Sequence, residues 1–195
     1  ILIGLANFYR DHLRNDILAW DEITIMPTNG GDNMIHAAKW VASEEFSYVL
    51  VLDNDQKGKD VIQEINEQHH EINSDRVILL EKEDDKRNFN IEIEDIFDPV
   101  FYIDCVNEAY QDQVDDFDPL DIEKHDDCWL IDGYEYKGRK IVNRIEDAFE
   151  ERDLDGLDKI LVASEIQDRL TNNRDVSESD ISDFNRVLGR IRNLT

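Results

Sequence analysis

The sequence predicts an α/β fold, with a parallel sheet flanked by helices and followed by a mainly helical carboxyl-terminal region. Three observations lead there. The run "YVLVLD" at 48–53 is almost wholly apolar, as expected of a strand covered on both faces. Strand-like and helix-like segments alternate with short connections between residues 22 and 81, the rhythm of helices packed on a parallel sheet. Beyond about residue 98 the period becomes helical. The chain therefore divides into 1–98, an α/β core, and 99–195, a mostly helical extension.

Each element has a local reason. Residues 1–15 place Leu2, Leu5, Ala6, Tyr9 and Leu13 on one helical face. "EITIMP" (22–27) reads as a short strand closed by Pro27, and "TNGGDN" as a turn in which Gly30 and Gly31 can take positive φ. "MIHAAKWVASEE" (34–45) is amphipathic, with His36 and Trp40 on one face as expected packing residues. The strand 48–53 is followed by a helix over 59–72 and a strand over 76–81. "IEIEDIF" (91–97) alternates like a strand. "VFYIDCVNEAYQ" reads as a helix, 112–127 as an acidic loop, and "CWLIDGYEYKGRK" as a hairpin or an irregular linker. Helices are expected near 139–151, 158–171 and 179–193, with Ser177 or Ser179 capping the last.

Composition bounds the chemistry. The 195 residues carry 47 acidic and 21 basic side chains, a formal net charge of −26. The acids are spread along the whole chain, as in proteins from hosts of high internal salt, where screening shortens to about 3 Å at 1 M. Such a field repels polyanions at low salt, so DNA contact requires metal or local positive charge. Arg139, Lys140 and Arg144 form the densest basic cluster, which reads equally as the solvated start of a helix. Cys105 and Cys128 are far apart and match no metal-ligand spacing, as expected of free thiols in a reducing cytoplasm. No apolar run approaches the roughly 20 residues of a membrane span, and no secretory signal is visible.

The chemistry gathers at carboxylates. Asp53 closes a parallel strand and Asp55 lies in the turn after it, where open α/β sheets collect ligands. Two carboxylates aimed at one point need a cation, and an oxygen-only set suits Mg²⁺. A solvated turn with an Asp helix cap accounts for the pair equally well. His69 and His70, flanked by Glu67 and Glu71, diverge by about 100° on a helix and make a poor zinc pair. "TNGGDN" lacks the ending of a phosphate-cradling P-loop.

Taken together, the strand ending in Pro27, the Gly30-Gly31 turn, the helix, and the strand ending in Asp53-Asn54-Asp55 with Gly58 resemble the Toprim domain. Within that group they are most similar to the OLD-family (overcoming lysogenization defect) nucleases, including Gabija-type relatives of phage defence. The resemblance extends through "IEIEDIF" and, more faintly, "LDKILVASEI". It implies a Mg²⁺- or Mn²⁺-dependent endonuclease acting on DNA by two metals. Asp53 and Asp55 would hold catalytic metal, Glu92 and Glu94 would help hold the second, and Lys159 would stabilise charge at the scissile phosphate. Any ATP dependence would reside in an ATPase domain outside this chain, and homo-oligomerisation would come through the parent protein.

One departure stands. The Toprim pattern begins with a glutamate-glycine pair and a nearby aspartate. Setting Ile3-Gly4 and Asn7 on those positions implies a dead site. Matching residues 1–15 to the following helix instead places the glutamate and the first strand upstream, which makes this chain a carboxyl-terminal fragment. Two rivals follow from other classes: a non-catalytic Toprim-shaped binding or dimerisation module, and a receiver-like phospho-acceptor domain, which the region 80–195 does not fit.

Overall fold

A computed structural model describes residues 23–28, 30–82, 90–126, 128–136 and 140–194, together with Leu5, Phe8 and Asp11. The expected helix over 1–15 otherwise lies outside the described residues, although Leu5 and Phe8 are helical and buried. The fold is mixed α/β, and its chain divides into two compact units, residues 17–96 with 183–195, and residues 1–16 with 97–182.

The first of these units holds the parallel sheet. Helix α1 spans Gly31–Ser43, strand β1 Leu50–Leu52, helix α2 Gln56–Gln68 and strand β2 Val77–Leu79. The two strands run parallel, with Leu50 opposite Val77 and Leu52 opposite Leu79. Two glycines shape the entry to α1 in different ways. Gly30 caps it at φ 125°, a conformation open to glycine at no steric cost. Gly31 is needed for closeness: a Cβ there would lie 2.5 Å from Val61 Cγ2 on α2. The core joins Ile35 and Ala38 of α1, Leu50 and Leu52 of β1, Val61 and Ile65 of α2, and Ile72.

Three expectations for this unit change. Residues 23–28 form no strand, so among the described residues the parallel sheet has two strands. His36 and Trp40 do share a face of α1, but it is the outer one: the buried stripe is Ile35 and Ala38, and Trp40 is 56% exposed. "IEIEDIF" contributes a single bridge residue, Ile91, before turning into a 3₁₀ helix, Ile93–Ile96. Its alternating pattern reflects a tight turn that buries Glu94 and Asp95.

The second unit begins with helix α3, Pro99–Gln111, capped by Asp98, whose carboxylate accepts from the Val100 N–H at 2.9 Å. An antiparallel sheet follows, comprising β3 (Ile122–His125), β4 (Cys128–Ile131) and β5 (Tyr134–Glu135). Residues 128–135 thus form a hairpin, while 137–139 lie outside the described residues, and the acidic stretch before the hairpin supplies a strand. Asp132 and Gly133 turn the hairpin at φ 51° and 75°, the pair of positive φ values that two-residue hairpin loops favour. Helix α4 covers Ile141–Glu151 and α5 Lys159–Asn172; a 3₁₀ turn over Glu178–Ile181 leads to α6, Ser182–Leu194. The three helices expected at the carboxyl-terminal end form, with Asp180 accepting from the Ser177 N–H at the last start. From Asp183 onward α6 belongs with the β1–β2 unit, where Arg190 donates to the Leu79 carbonyl at 3.2 Å.

Packing of α3 on α5 carries an ion network. Arg169, 7% exposed, donates to Glu108 at 2.5 Å and to Glu165 at 3.1 Å, and Arg174 binds the same two carboxylates. Burial acts to raise the Glu108 pKa, but the hydrogen bonds from Arg169 and Arg174 hold it below its ordinary value of 4.5. Both cysteines are free thiols; burial pushes Cys105 up to about 12, which removes it as a nucleophile. Among the described residues no helix is long and apolar enough to cross a membrane.

A carboxylate with a depressed folded-state pKa stabilises the fold above its unfolded pKa, and that contribution is lost as pH falls through the folded value. Glu108→Gln should therefore lower unfolding free energy near neutral pH by about 1 kcal/mol, a modest figure because the side chain is partly exposed. In urea titrations the gap between parent and variant should close as the pH drops below 4.5. A gap that persists at acid pH would contradict the charge-based role.

Candidate metal centre

β1 ends at Leu52 and the chain turns at once into α2. Asp53, at the carboxyl end of the strand, is exposed. Asp55 is the N-cap of α2: its carboxylate accepts from the Gly58 N–H at 2.9 Å, which satisfies one of the helix's orphan donors. Gly58 is required here by contact rather than by turning. A Cβ on it would sit 2.1 Å from the Asp53 carbonyl oxygen and 3.3 Å from Leu79 Cδ2. The loop carrying both aspartates is thus folded down onto the first turn of its own helix.

The second acidic segment reaches this loop through one bridge. The Asn54 N–H donates to the Ile91 carbonyl at 2.8 Å, and the Ile91 N–H returns to the Asn54 carbonyl at 3.2 Å. This is the hydrogen-bonded pair of an antiparallel ladder, so the next residues in register are Asp53 and Glu92. Asn54 and Ile91 face the interior, 5% and 1% exposed. Asp53 is exposed and Glu92 half-buried, each one residue outside the bridge. Asn54 Oδ1 is buried with no hydrogen-bond partner among the described residues, an unmet acceptor within the motif itself.

Glu94 does not join them on one strand face. It lies in the 3₁₀ helix and is 8% exposed. The turn is held by Asp95, 1% exposed, whose carboxylate accepts from the Glu92 N–H at 3.0 Å. Lys82 Nζ donates to the Asp95 carbonyl at 2.9 Å. The turn thus fixes Glu92 beside the bridge and withdraws Glu94. Lys159 belongs to the other unit, where it opens α5 in an exposed position after the N-cap Asp158.

Among the described residues no three His, Cys, Asp or Glu side chains are grouped so as to hold a metal ion. The Asp53–Glu92 neighbourhood therefore offers an oxygen-only pair. Such a pair suits Mg²⁺, which keeps several waters and commonly takes one or two carboxylates together with substrate phosphate oxygens. Two basic residues at this end of the sheet went unnoticed in the sequence. Lys82 is one; Arg190 is the other, 3.5 Å from Glu81 and bonded to the last residue of β2. Arg190 gives no local signal, because it reaches β2 from 111 residues away.

The other candidates find ordinary places. His69 contacts Glu64 at 3.2 Å and Glu71 at 3.7 Å, while His70 is exposed. Of the basic cluster, Arg139 lies outside the described residues and Arg144 is buried at 3% exposure, so Arg144 is not a DNA-facing cation. No family model, curated protein or solved structure matches the chain.

Replacing Gly58 with alanine tests the folded-down loop. The new methyl must displace the Asp53 backbone, so Gly58→Ala should destabilise the chain by about 1–3 kcal/mol in denaturant unfolding. A variant as stable as the parent would rule out the close approach.

Proposed function

We propose that the unit formed by residues 17–96 and 183–195 is the metal-dependent part of a nuclease that hydrolyses DNA phosphodiester bonds. The observation that carries this reading is the Asn54–Ile91 bridge, which joins the loop of Asp53 and Asp55 to the acidic segment of Glu92 at the carboxyl end of a parallel sheet. The resemblance to OLD-family Toprim domains, carried by Pro27, Gly30-Gly31 and Asp53-Asn54-Asp55, supports it independently. Asp53 and Glu92 would hold Mg²⁺ or Mn²⁺, which when bound supplies Lewis acidity and a more acidic water.

The chain's own residues do the rest. Asp55 keeps the loop in place through its cap to Gly58, and Asp95 holds Glu92 by its backbone. Lys82, bonded to the Asp95 carbonyl, adds positive charge at the turn that follows Glu92, which lowers the repulsion a phosphate meets in a chain of net charge −26. Lys159 belongs to the other unit, so its role at the charge that builds on the cleaved phosphate rests on the resemblance alone. A second metal held by Glu92 and Glu94 would need Glu94 to leave its buried turn, so a site of one metal loaded together with substrate is the simpler form.

A second reading has a specific observation in its favour. The absence of a three-ligand group among the described residues suits a non-catalytic module that keeps the shape for binding or dimerisation.

Plasmid nicking by the natural full-length protein in Mg²⁺ or Mn²⁺ separates the two. Asp53→Asn and Glu92→Gln should each slow nicking by about 100-fold or more, with Lys159→Ala costing about 10-fold or more. If Asp53→Asn nicks at the parental rate, the nuclease assignment fails.

A further inference from the structure

Among α1 to α6, helix α6 alone has a net positive charge. It carries Arg186, Arg190 and Arg192 against Asp183, in a chain of 47 acidic and 21 basic side chains. Helices α1 and α5 are balanced, and α2, α3 and α4 are negative. The buried stripe of α6 is Phe184, Val187 and Leu188. At about 100° per residue, the face turned away from that stripe holds Arg186, Gly189, Arg190 and Asn193. Arg186 and Asn193 are exposed, and the Arg190 side chain is 38% exposed. Gly189 has no packing partner: a Cβ there would meet nothing within 4 Å among the described residues. Glycine inside a helix weakens it relative to alanine, and here it leaves the backbone open beside the two arginines.

Placement ties this face to the candidate metal centre. Arg190 Nη1 donates to the carbonyl of Leu79, the last residue of β2, at 3.2 Å and stands 3.5 Å from Glu81. Leu79 pairs with Leu52, the residue before Asp53, and paired strands lie about 4.8 Å apart. The basic helix thus reaches the carboxyl end of the sheet, in the same unit as Asp53 and Glu92. A polyanion needs local positive charge to approach this chain, and the cluster around Arg144 does not offer it, because Arg144 is buried. An acidic peptide would satisfy the arginines, but its carboxylates would add to those of Asp53 and Glu92. Phosphate oxygens suit both, as acceptors for guanidinium and as ligands for a metal held by carboxylates. We propose that the outer face of α6 carries the phosphate backbone of duplex DNA toward the metal centre, with Arg186 and Arg190 as its cationic contacts and Asn193 as a neutral donor. The choice of DNA rests on the nuclease reading; what is added is the surface along which the substrate lies. Arg190 also holds β2, so the exposed Arg186 is the cleaner residue to change.

Binding is measured apart from cleavage. The natural full-length protein is titrated in EDTA against a short fluorescein-labelled DNA duplex, by anisotropy, over a range of salt. Arg186→Gln should weaken binding about 3-fold or more near 0.1 M salt and lower the slope of log affinity against log salt by about 1. Lys124→Gln removes one exposed positive charge from β3 in the other unit, and should leave affinity within about 2-fold and the slope unchanged. In nicking assays with Mg²⁺, Arg186→Gln should raise KM about 3-fold or more with kcat nearly unchanged, since the contact holds substrate and transition state alike. Parental affinity and slope in Arg186→Gln, equal loss in Lys124→Gln, or no salt-dependent binding by the parent would each overturn the proposal. If Asp53→Asn nicks at the parental rate while Arg186→Gln still loses duplex binding, the nuclease reading fails and the DNA-binding face stands. Nicking that depends on Asp53 but is indifferent to Arg186 removes the α6 face and leaves the nuclease. Circular dichroism verifies that Arg186→Gln keeps the fold.

Discussion

Two hydrogen bonds between Asn54 and Ile91 decide whether this protein has a candidate site at all. Without them the aspartates after β1 and the glutamates of the 91–97 segment are separate acidic stretches. With them, the two acidic stretches are joined, one residue on either side of the bridge carrying Asp53 and Glu92. The backbone makes this bridge, so the juxtaposition survives exchange of the side chains that line it. Gly58 below and Asp95 beside it hold the two strands' ends at the positions where the bridge can close.

Helices were the readable part of this sequence, since α4 to α6 each bury one stripe, whereas α3 is buried nearly all round. For α4 the stripe is Ile141, Val142, Ile145, Ala148 and Phe149. The β1 run was readable as well, being short, apolar and bounded by charge. Alternation misled at "IEIEDIF". Isoleucines and acids two apart fit a strand face, but they fit equally a bridge residue followed by a 3₁₀ turn in which Asp95 accepts from the Glu92 N–H. Strand β3 was hidden for the opposite reason, since "IEKH" in an acidic stretch has almost no apolar face to announce it.

The candidate site was readable in its parts and not in its assembly. Asp53 and Asp55 stood out through spacing, yet only three-dimensional contact separates them: Asp55 caps a helix, and Asp53 is exposed one residue before the bridge. Arg144 shows the same limit from the other side. As a member of a basic cluster it suggested polyanion binding, whereas burial under Tyr134 and the surrounding glutamates makes its neighbourhood hostile to phosphate. Charge counted along a sequence says little about the sign of the field a ligand meets.

The attachment of α6 to β2 has a bearing on biosynthesis. The unit with the parallel sheet is discontinuous, taking residues 17–96 and 183–195, whereas residues 97–182 lie between them in the chain. On a ribosome the sheet strands emerge long before Arg190, and β2 waits through the synthesis of an entire intervening unit for its cover. During that interval the apolar edge of the two strands lacks its cover, which makes this stretch the natural point of chaperone dependence and of misassembly.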